Sequence, residues 1–67
     1  MSEFVDKVRI KNVLIKHETD RAVLAVIEGD EYWVPKSQID DDSEVWKKDE
    51  EGTLVVSEWW AEQEGLA

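Results

Sequence analysis

Carboxylates are the most numerous chemically active side chains of this sequence, and four of them have a suggestive spacing. They match the ligand positions 1, 3, 5 and 12 of a calcium-binding EF-hand loop: Asp40, Asp42, Glu44 and Glu51. The match fails at position 6, where Val45 replaces the glycine that the sharp turn of such a loop requires. The two helices that flank an EF-hand loop are also not predicted around this segment. We therefore interpret the segment as a solvated acidic loop and expect neither a metal nor another cofactor.

Nucleophilic catalysis finds little support in the residue types. The chain has no cysteine, and His17 is its single histidine. A general base needs a nucleophile and an orienting group within hydrogen-bond distance. Ser37 and Ser57 could supply a nucleophilic hydroxyl, but Ser57 is better placed to cap a helix. No glycine-rich phosphate loop occurs, so we predict no catalytic residue and no enzymatic activity.

The aromatic residues are concentrated in the second part of the chain. All four tryptophans lie there: Trp33, Trp46, Trp59 and Trp60. Stacking on unpaired bases would need cations among the rings, and none lies near Trp59 and Trp60. The indoles are therefore expected to belong mainly to the core. One exposed indole could anchor a protein partner, since tryptophan is frequent among hot-spot residues.

Charge is unevenly divided along the chain. Its net value is −9, and residues 28–67 carry thirteen of the seventeen acidic residues but three of the eight basic ones. If these acidic residues gather on one face, that face can keep a small domain soluble, bind a basic protein or imitate a nucleic acid. It disfavours docking on anionic lipid or a phosphate backbone. No apolar run reaches 18 residues and residues 1–6 lack the basic start of a signal peptide, so we expect no membrane insertion and a cytoplasmic location.

Residues 1–67 are predicted to form a single small domain in which strands precede one helix. Alternation of apolar and polar residues slips by one place near Lys11–Val13, which predicts a bulge in the first strand. The continuous apolar run Ala22–Ile27 is typical of a central strand. Gly29 marks a turn into the short strand Tyr32–Val34, and Pro35 ends that strand.

The remaining segments predict further short elements before a terminal helix. In order, these are a 3₁₀ turn over 35–39 with Ile39 beneath the sheet, a solvated loop 40–43, a fourth strand 44–47, a fifth strand 53–56, the N-cap Ser57, a helix over 59–64 and its C-terminal Gly65. Adjacent helical indoles cannot share a face, so one of them must point away from the core. The predicted fold is α+β: a small curled antiparallel sheet or open β-barrel of about five strands, SH3- or OB-like, with one short C-terminal helix.

Three segments resemble a short module found in phage and prophage open reading frames. They are Trp33–Ile39, with its W-x-P-x-S-Q pattern, Asp41–Val45, and Gly52–Trp59. The resemblance covers roughly residues 12–66. It implies a phage-encoded, intracellular protein without recognised catalysis, and it assigns no ligand-binding residue. Independently of it, the residues themselves predict that Trp33 packs beneath the sheet.

The leading hypothesis is a non-enzymatic protein-binding module that modulates or inhibits a host protein. Its acidic face would recognise a basic protein surface, because opposite charges accelerate association and an aromatic centre holds the complex. The predicted contact residues are Asp30, Glu31, Asp40, Asp41, Asp42, Glu44, Trp46, Asp49, Glu50 and Glu51.

The alternative hypothesis is an accessory small barrel that binds single-stranded nucleic acid through its basic N-terminal strands. It requires a stripe formed by Lys7, Arg9, Lys11, Lys16 and Arg21. The acidic balance of the chain makes nucleic acid the less favoured partner. The sequence leaves open whether the chain is a monomer or a homodimer.

Overall fold

A computed structural model describes residues 6–66 of the chain. Its elements are β1 (Lys7–Glu18), β2 (Ala22–Ile27), β3 (Asp30–Pro35), a 3₁₀ turn (Lys36–Gln38), β4 (Glu51–Ser57) and α1 (Glu58–Gln63). The strands form one sheet in the order β3-β2-β1-β4, and all neighbours are antiparallel. The expected antiparallel sheet with a short C-terminal helix is therefore confirmed. No helix in the described part of the chain is long and apolar enough to cross a membrane.

The number of strands is lower than the sequence predicts. Residues 6–66 contain four strands, and the segment 44–47, expected to be a strand, is irregular. Glu44 takes the place of a neighbouring strand at a single point: its N–H donates to the Thr53 carbonyl (2.9 Å), and its side-chain Oε1 accepts from the Thr53 N–H (2.9 Å). A side chain replaces the backbone carbonyl there. Further along β4 the same segment makes the bond from the Asp40 N–H to the Val55 carbonyl and an isolated bridge between Ile39 and Val56, and these separate contacts do not form a fifth strand.

β1 is a single long strand with two irregularities. Its register shifts between Ile10 and Val13, where Asn12 has a φ of 60°, and this is the bulge that the sequence predicts. A second shift, between Ile15 and His17, was not expected. The first part of β1 pairs with β4, and β2 joins on the other side from Leu14 onward. Residues 7–10 therefore extend past the end of β2.

The core lies between the inner face of the sheet and α1. Val13, Ile15, Ala25 and Leu54 are among the buried residues of that face. Ile39 joins them from the segment after the 3₁₀ turn, as the sequence predicts. Other members of the same cluster are Val23, Ile27, Val34, Val45, Val56, Trp60 and Ala61.

Both ends of α1 follow from local sequence. The Ser57 hydroxyl accepts a hydrogen bond from the Trp60 N–H, so Ser57 is the N-cap that the sequence predicts. At the other end, Gly65 takes a positive φ of 75°, and the Leu66 N–H donates to the Ala61 carbonyl (2.7 Å). Together with the bond from the Gly65 N–H to the Glu62 carbonyl, this is a Schellman motif.

The structure separates the indoles into buried and exposed ones. Trp60 is 4% exposed and meets Tyr32 edge-on with ring centroids 6.4 Å apart, whereas Trp59 is 63% exposed. The divergence of these two neighbours is as predicted. The expectation that Trp33 packs beneath the sheet is wrong, because its side chain is 53% exposed. Tyr32 and Val34 point inward on β3, so alternation directs Trp33 to the opposite face.

Candidate interaction surface

The acidic segment after the 3₁₀ turn has a structural role. Asp40, expected in a solvated loop, is 1% exposed. Its Oδ1 accepts from the Lys7 ammonium (3.3 Å) and from the Asp42 N–H (2.9 Å). Asp42 also accepts from Lys7 (3.0 Å) and lies 3.7 Å from the Arg9 guanidinium. The hydrogen bonds to Asp42 and Asp40 raise the pKa of Lys7, so the Lys7 ammonium stays charged at neutral pH.

Ser43 and Glu44 fix the same segment against β4. The buried Ser43 hydroxyl donates to the Val45 carbonyl (3.0 Å) and accepts from the Val55 N–H (3.2 Å), which corrects the expectation that Ser43 is solvated. Glu44 reaches over Gly52: a Cβ added there would lie 2.9 Å from Glu44 Oε1. Glycine at position 52 therefore leaves room for the carboxylate that bonds the Thr53 N–H.

Trp46 and Glu50 close the next turn. The Glu50 carboxylate accepts from the N–H groups of Trp46 (2.7 Å) and Lys47 (2.8 Å), and these two bonds lower the pKa of Glu50. The half-buried Trp46 indole donates to the Ser43 carbonyl (3.0 Å). Trp46 is thus held by the loop to which it belongs, and the exposed indoles are Trp33 and Trp59.

Two further ion pairs join cations to exposed carboxylates. Lys16 lies 2.7 Å from Glu31, and Lys36 lies 2.8 Å from Glu18. Each lysine lowers the pKa of its partner carboxyl group, chiefly through the hydrogen bond. Of the basic stripe needed for nucleic-acid binding, three members therefore face carboxylates: Lys7, Arg9 and Lys16.

The outer face of the sheet brings apolar and acidic residues into rows. Val26 lies opposite Glu31 on one side and Leu14 on the other, and Leu14 lies opposite Glu51. Residues directly opposite in antiparallel strands have neighbouring side chains on one face. The row across all four strands is therefore Glu31–Val26–Leu14–Glu51, with a carboxylate at each end. Leu14 at its centre is 38% exposed.

The next row contains the exposed indole. Trp33 lies opposite Leu24, and Leu24 lies opposite His17. We call these two rows the outer-face patch. Its exposed members are Leu14, His17, Glu31, Trp33 and Glu51, and the buried Leu24 and half-buried Val26 lie between them. An exposed leucine between two carboxylates and an exposed indole in the next row are residue types that also occur in protein interfaces.

The outer-face patch contains two of the predicted contact residues, Glu31 and Glu51. Trp33 and Leu14 were not among the contact residues predicted from the sequence. Alternation along β3 places Trp33 on the face opposite to Tyr32 and Val34, but the sequence does not show which of the two faces is covered. For Leu14 the signal was the bulge near Asn12, after which Val13 points inward.

The other predicted contact residues lie elsewhere. Asp30, Asp41 and Asp49 are exposed, at the start of β3 and in the turns that follow. Asp40, Asp42, Glu44 and Glu50 hold their own loops. Within residues 6–66 no three side chains of the histidine, cysteine or carboxylate type are grouped as metal ligands would be.

Comparison of the chain with models of protein families, with curated proteins and with solved structures gave no match.

Proposed function

We propose that this protein is a non-enzymatic protein-binding module whose outer-face patch contacts a protein with a basic surface. The observation that carries the proposal is Trp33, a large apolar side chain more than half exposed on an otherwise ordered strand. Exposing an indole forgoes burial that a domain of this size could use. A partner that covers Trp33 would recover that burial, and tryptophan is among the most frequent anchors of protein interfaces.

Charge supplies the second part of the argument. Glu31 and Glu51 stand at the two ends of the row through Leu14, and the whole chain carries a net charge of −9. A basic partner would be attracted over long range, which raises the association rate. Its cations could bind Glu51, which forms no ion pair within residues 6–66, and would share Glu31 with Lys16. The lowered pKa of Glu31 keeps that carboxylate ionised at neutral pH.

The setting follows from the resemblance to phage modules. A small acidic phage protein in the host cytoplasm is suited to occupying a host protein, and modulation or inhibition of that protein is the expected outcome. The patch would serve this role in a monomer, or in a homodimer that leaves it uncovered.

Binding of single-stranded nucleic acid by an SH3- or OB-like barrel receives less support. It requires the cations of β1 to face the strand, yet Lys7, Arg9 and Lys16 are next to carboxylates. Added phosphates would have to compete with Asp42 and Glu31 for the same cations.

The test uses two exposed indoles as a matched pair. A partner is first captured from host lysate, and its dissociation constant is then measured for Trp33→Ala and Trp59→Ala. We expect Trp33→Ala to weaken binding about 30-fold, which corresponds to the ~2 kcal/mol of a hot-spot residue. Trp59→Ala should change it less than about threefold, because α1 lies across the inner face. Equal effects of the two changes, or binding insensitive to salt, would contradict the proposal.

A further inference from the structure

The N-terminal half of β1 has one edge paired with β4 and one edge open. The hydrogen bonds of Val55, the β4 residue opposite Arg9, show in which direction the backbone groups of the two strands point. Its carbonyl accepts from the Asp40 N–H (2.8 Å) and its N–H donates to the Ser43 hydroxyl (3.2 Å). Both backbone groups of Val55 are therefore used on the side of β4 that faces away from β1.

The alternation of an antiparallel ladder extends this result to β1. Because Val55 makes no backbone hydrogen bond to Arg9, the hydrogen-bonded pairs are the neighbouring ones, Val8 with Val56 and Ile10 with Leu54. Thr53 confirms the pattern, since its N–H and carbonyl both bond Glu44. The N–H and carbonyl groups of Arg9 therefore point away from β4, and those of Lys7 follow by the same alternation. The Lys11 N–H also points away, because it lies opposite the Ile10 carbonyl in one trans peptide plane, just before the bulge.

No described strand lies beside these groups. β2 ends at Ile27, and the pairing of Leu14 with Val26 places that end next to Val13. Within residues 6–66, no backbone hydrogen bond reaches the open edge between Lys7 and Lys11. Unpaired strand edges of this kind are templates for another extended chain.

A cleft of about 540 Å³ adjoins the open edge. Val8, Ile10 and Leu66 contribute its apolar wall, while Arg9, Lys11 and Glu28 contribute charged groups. Val8 and Ile10 pack on the core without being fully buried. The site thus combines directional backbone groups, an apolar pocket on one side and the ammonium group of Lys11, which forms no ion pair within residues 6–66, whereas Arg9 lies 3.7 Å from Asp42.

We propose that this edge binds an extended peptide segment of another protein by strand addition. Unpaired backbone donors and acceptors along a strand are matched by the main chain of a second strand. The segment would place apolar side chains in the cleft beside Ile10 and a carboxylate beside Lys11, the cation of this edge that no described carboxylate contacts. The open edge is separate from the outer-face patch, so each of the two proposals can be correct without the other.

A second copy of this chain is the less suitable occupant. Pairing the open edge with itself would bring together two chains that each carry a net charge of −9, and residues 7–11 of the second copy would offer Lys11 no carboxylate. An acidic, alternately apolar segment meets the edge with opposite charge.

The free protein supplies the first test, by amide hydrogen exchange. We expect the Arg9 and Lys11 amides to exchange at least about tenfold faster than those of Val8 and Ile10, because only the latter pair is bonded to β4. Equal protection of all four amides would show that the edge is already occupied and would overturn the proposal. Protection of Arg9 that increases with protein concentration would indicate self-pairing, and would also overturn it.

The second test supplies an occupant. A six-residue segment of alternating glutamate and valine is fused after residue 67 through a flexible glycine-serine linker, which holds it near Leu66 at an effective concentration in the millimolar range. We expect the exchange of the Arg9 and Lys11 amides to slow about tenfold, with Val8 and Ile10 unchanged.

Two control fusions decide between the parts of this proposal. A segment of alternating lysine and valine should protect the two amides less than about twofold, and a glycine-serine segment of equal length should not protect them at all. If the acidic segment gives no protection, the cations of this edge only keep other strands away, and the proposal is wrong. Equal protection by the acidic and basic segments would refute its charge specificity.

Discussion

Asp40 and Asp41 are adjacent carboxylates with opposite surroundings. Asp40 is enclosed between the 3₁₀ turn and β1, where it accepts from the Lys7 ammonium and the Asp42 N–H. Asp41 is exposed in the following turn, which the bond from the Ser43 N–H to the Asp40 carbonyl closes. The three consecutive aspartates look alike in the sequence. Burial in the folded protein distinguishes the structural carboxylate of Asp40 from the surface carboxylate of Asp41. Changing residues 40–42 together would therefore test folding more than binding.

The two residues provide a matched prediction. Asp40→Asn removes the charge that faces Lys7 from a buried site, and we expect it to lower the free energy of unfolding by about 2 kcal/mol. Asp41→Asn, the same chemical change in solvent, should stay within about 0.5 kcal/mol. Urea denaturation with an unchanged slope for both variants is the appropriate measurement. Similar stabilities of the two variants would show that the contact with Lys7 contributes nothing.

At the scale of elements, the β2–β3 hairpin has a turn residue that does not suit its backbone. The loop consists of Glu28 and Gly29, with φ values of 51° and 86°, between the paired residues Ile27 and Asp30. Positive φ at both positions is the type I′ turn, in which asparagine is strongly preferred before glycine. Glutamate there carries the strain of a left-handed conformation without the local hydrogen bonding that asparagine can make.

We therefore expect Glu28→Asn to stabilise the fold by about 1 kcal/mol, which raises the melting temperature by roughly 4–8 °C in a domain of this size. The control is Asp30→Asn, which removes the same charge two residues later at a position without positive φ. It should change the melting temperature by less than about 2 °C. A comparable rise in both variants would assign the gain to charge removal instead of turn geometry.

The same scale shows how far local patterns predict the fold. The slip of alternation near Asn12, the N-cap Ser57 and the C-terminal Gly65 each depend on neighbouring residues, and the structure confirms all three. The segment 44–47 could not be assigned in this way. Its apolar residues Val45 and Trp46 suggest a strand, but the Glu44 side chain takes the hydrogen bond that a ladder would use.

The candidate patch was predicted only in part for a related reason. Glu31 and Glu51 were identified by charge, but their meeting at the ends of one row depends on the register of three strand pairs. The exposure of Trp33 depends on which face of the sheet α1 covers, which its own neighbours in sequence do not specify. A tryptophan is usually well buried, and that general preference gave the wrong expectation here.

At the scale of the whole molecule, negative charge exceeds what the ion pairs can balance. Within residues 6–66, four cations contact carboxylates: Lys7, Arg9, Lys16 and Lys36. Most of these pairs are exposed, and exposed ion pairs contribute little to stability. The chain as a whole still has a net charge of −9 and an isoelectric point near 4.4. Mutual repulsion of the remaining carboxylates therefore opposes the compact state.

Salt should consequently stabilise this protein, since screening weakens repulsion more than it weakens the few exposed pairs. We expect the melting temperature at pH 7 to rise by several degrees as sodium chloride increases from about 0.02 M to about 0.5 M, over which the Debye length shortens from roughly 20 Å to less than 5 Å. At pH 5, nearer the isoelectric point, the same titration should give a smaller rise because fewer carboxylates are ionised. A melting temperature that falls with salt at pH 7 would mean that the pairs centred on Lys7 and Lys16 outweigh the net charge.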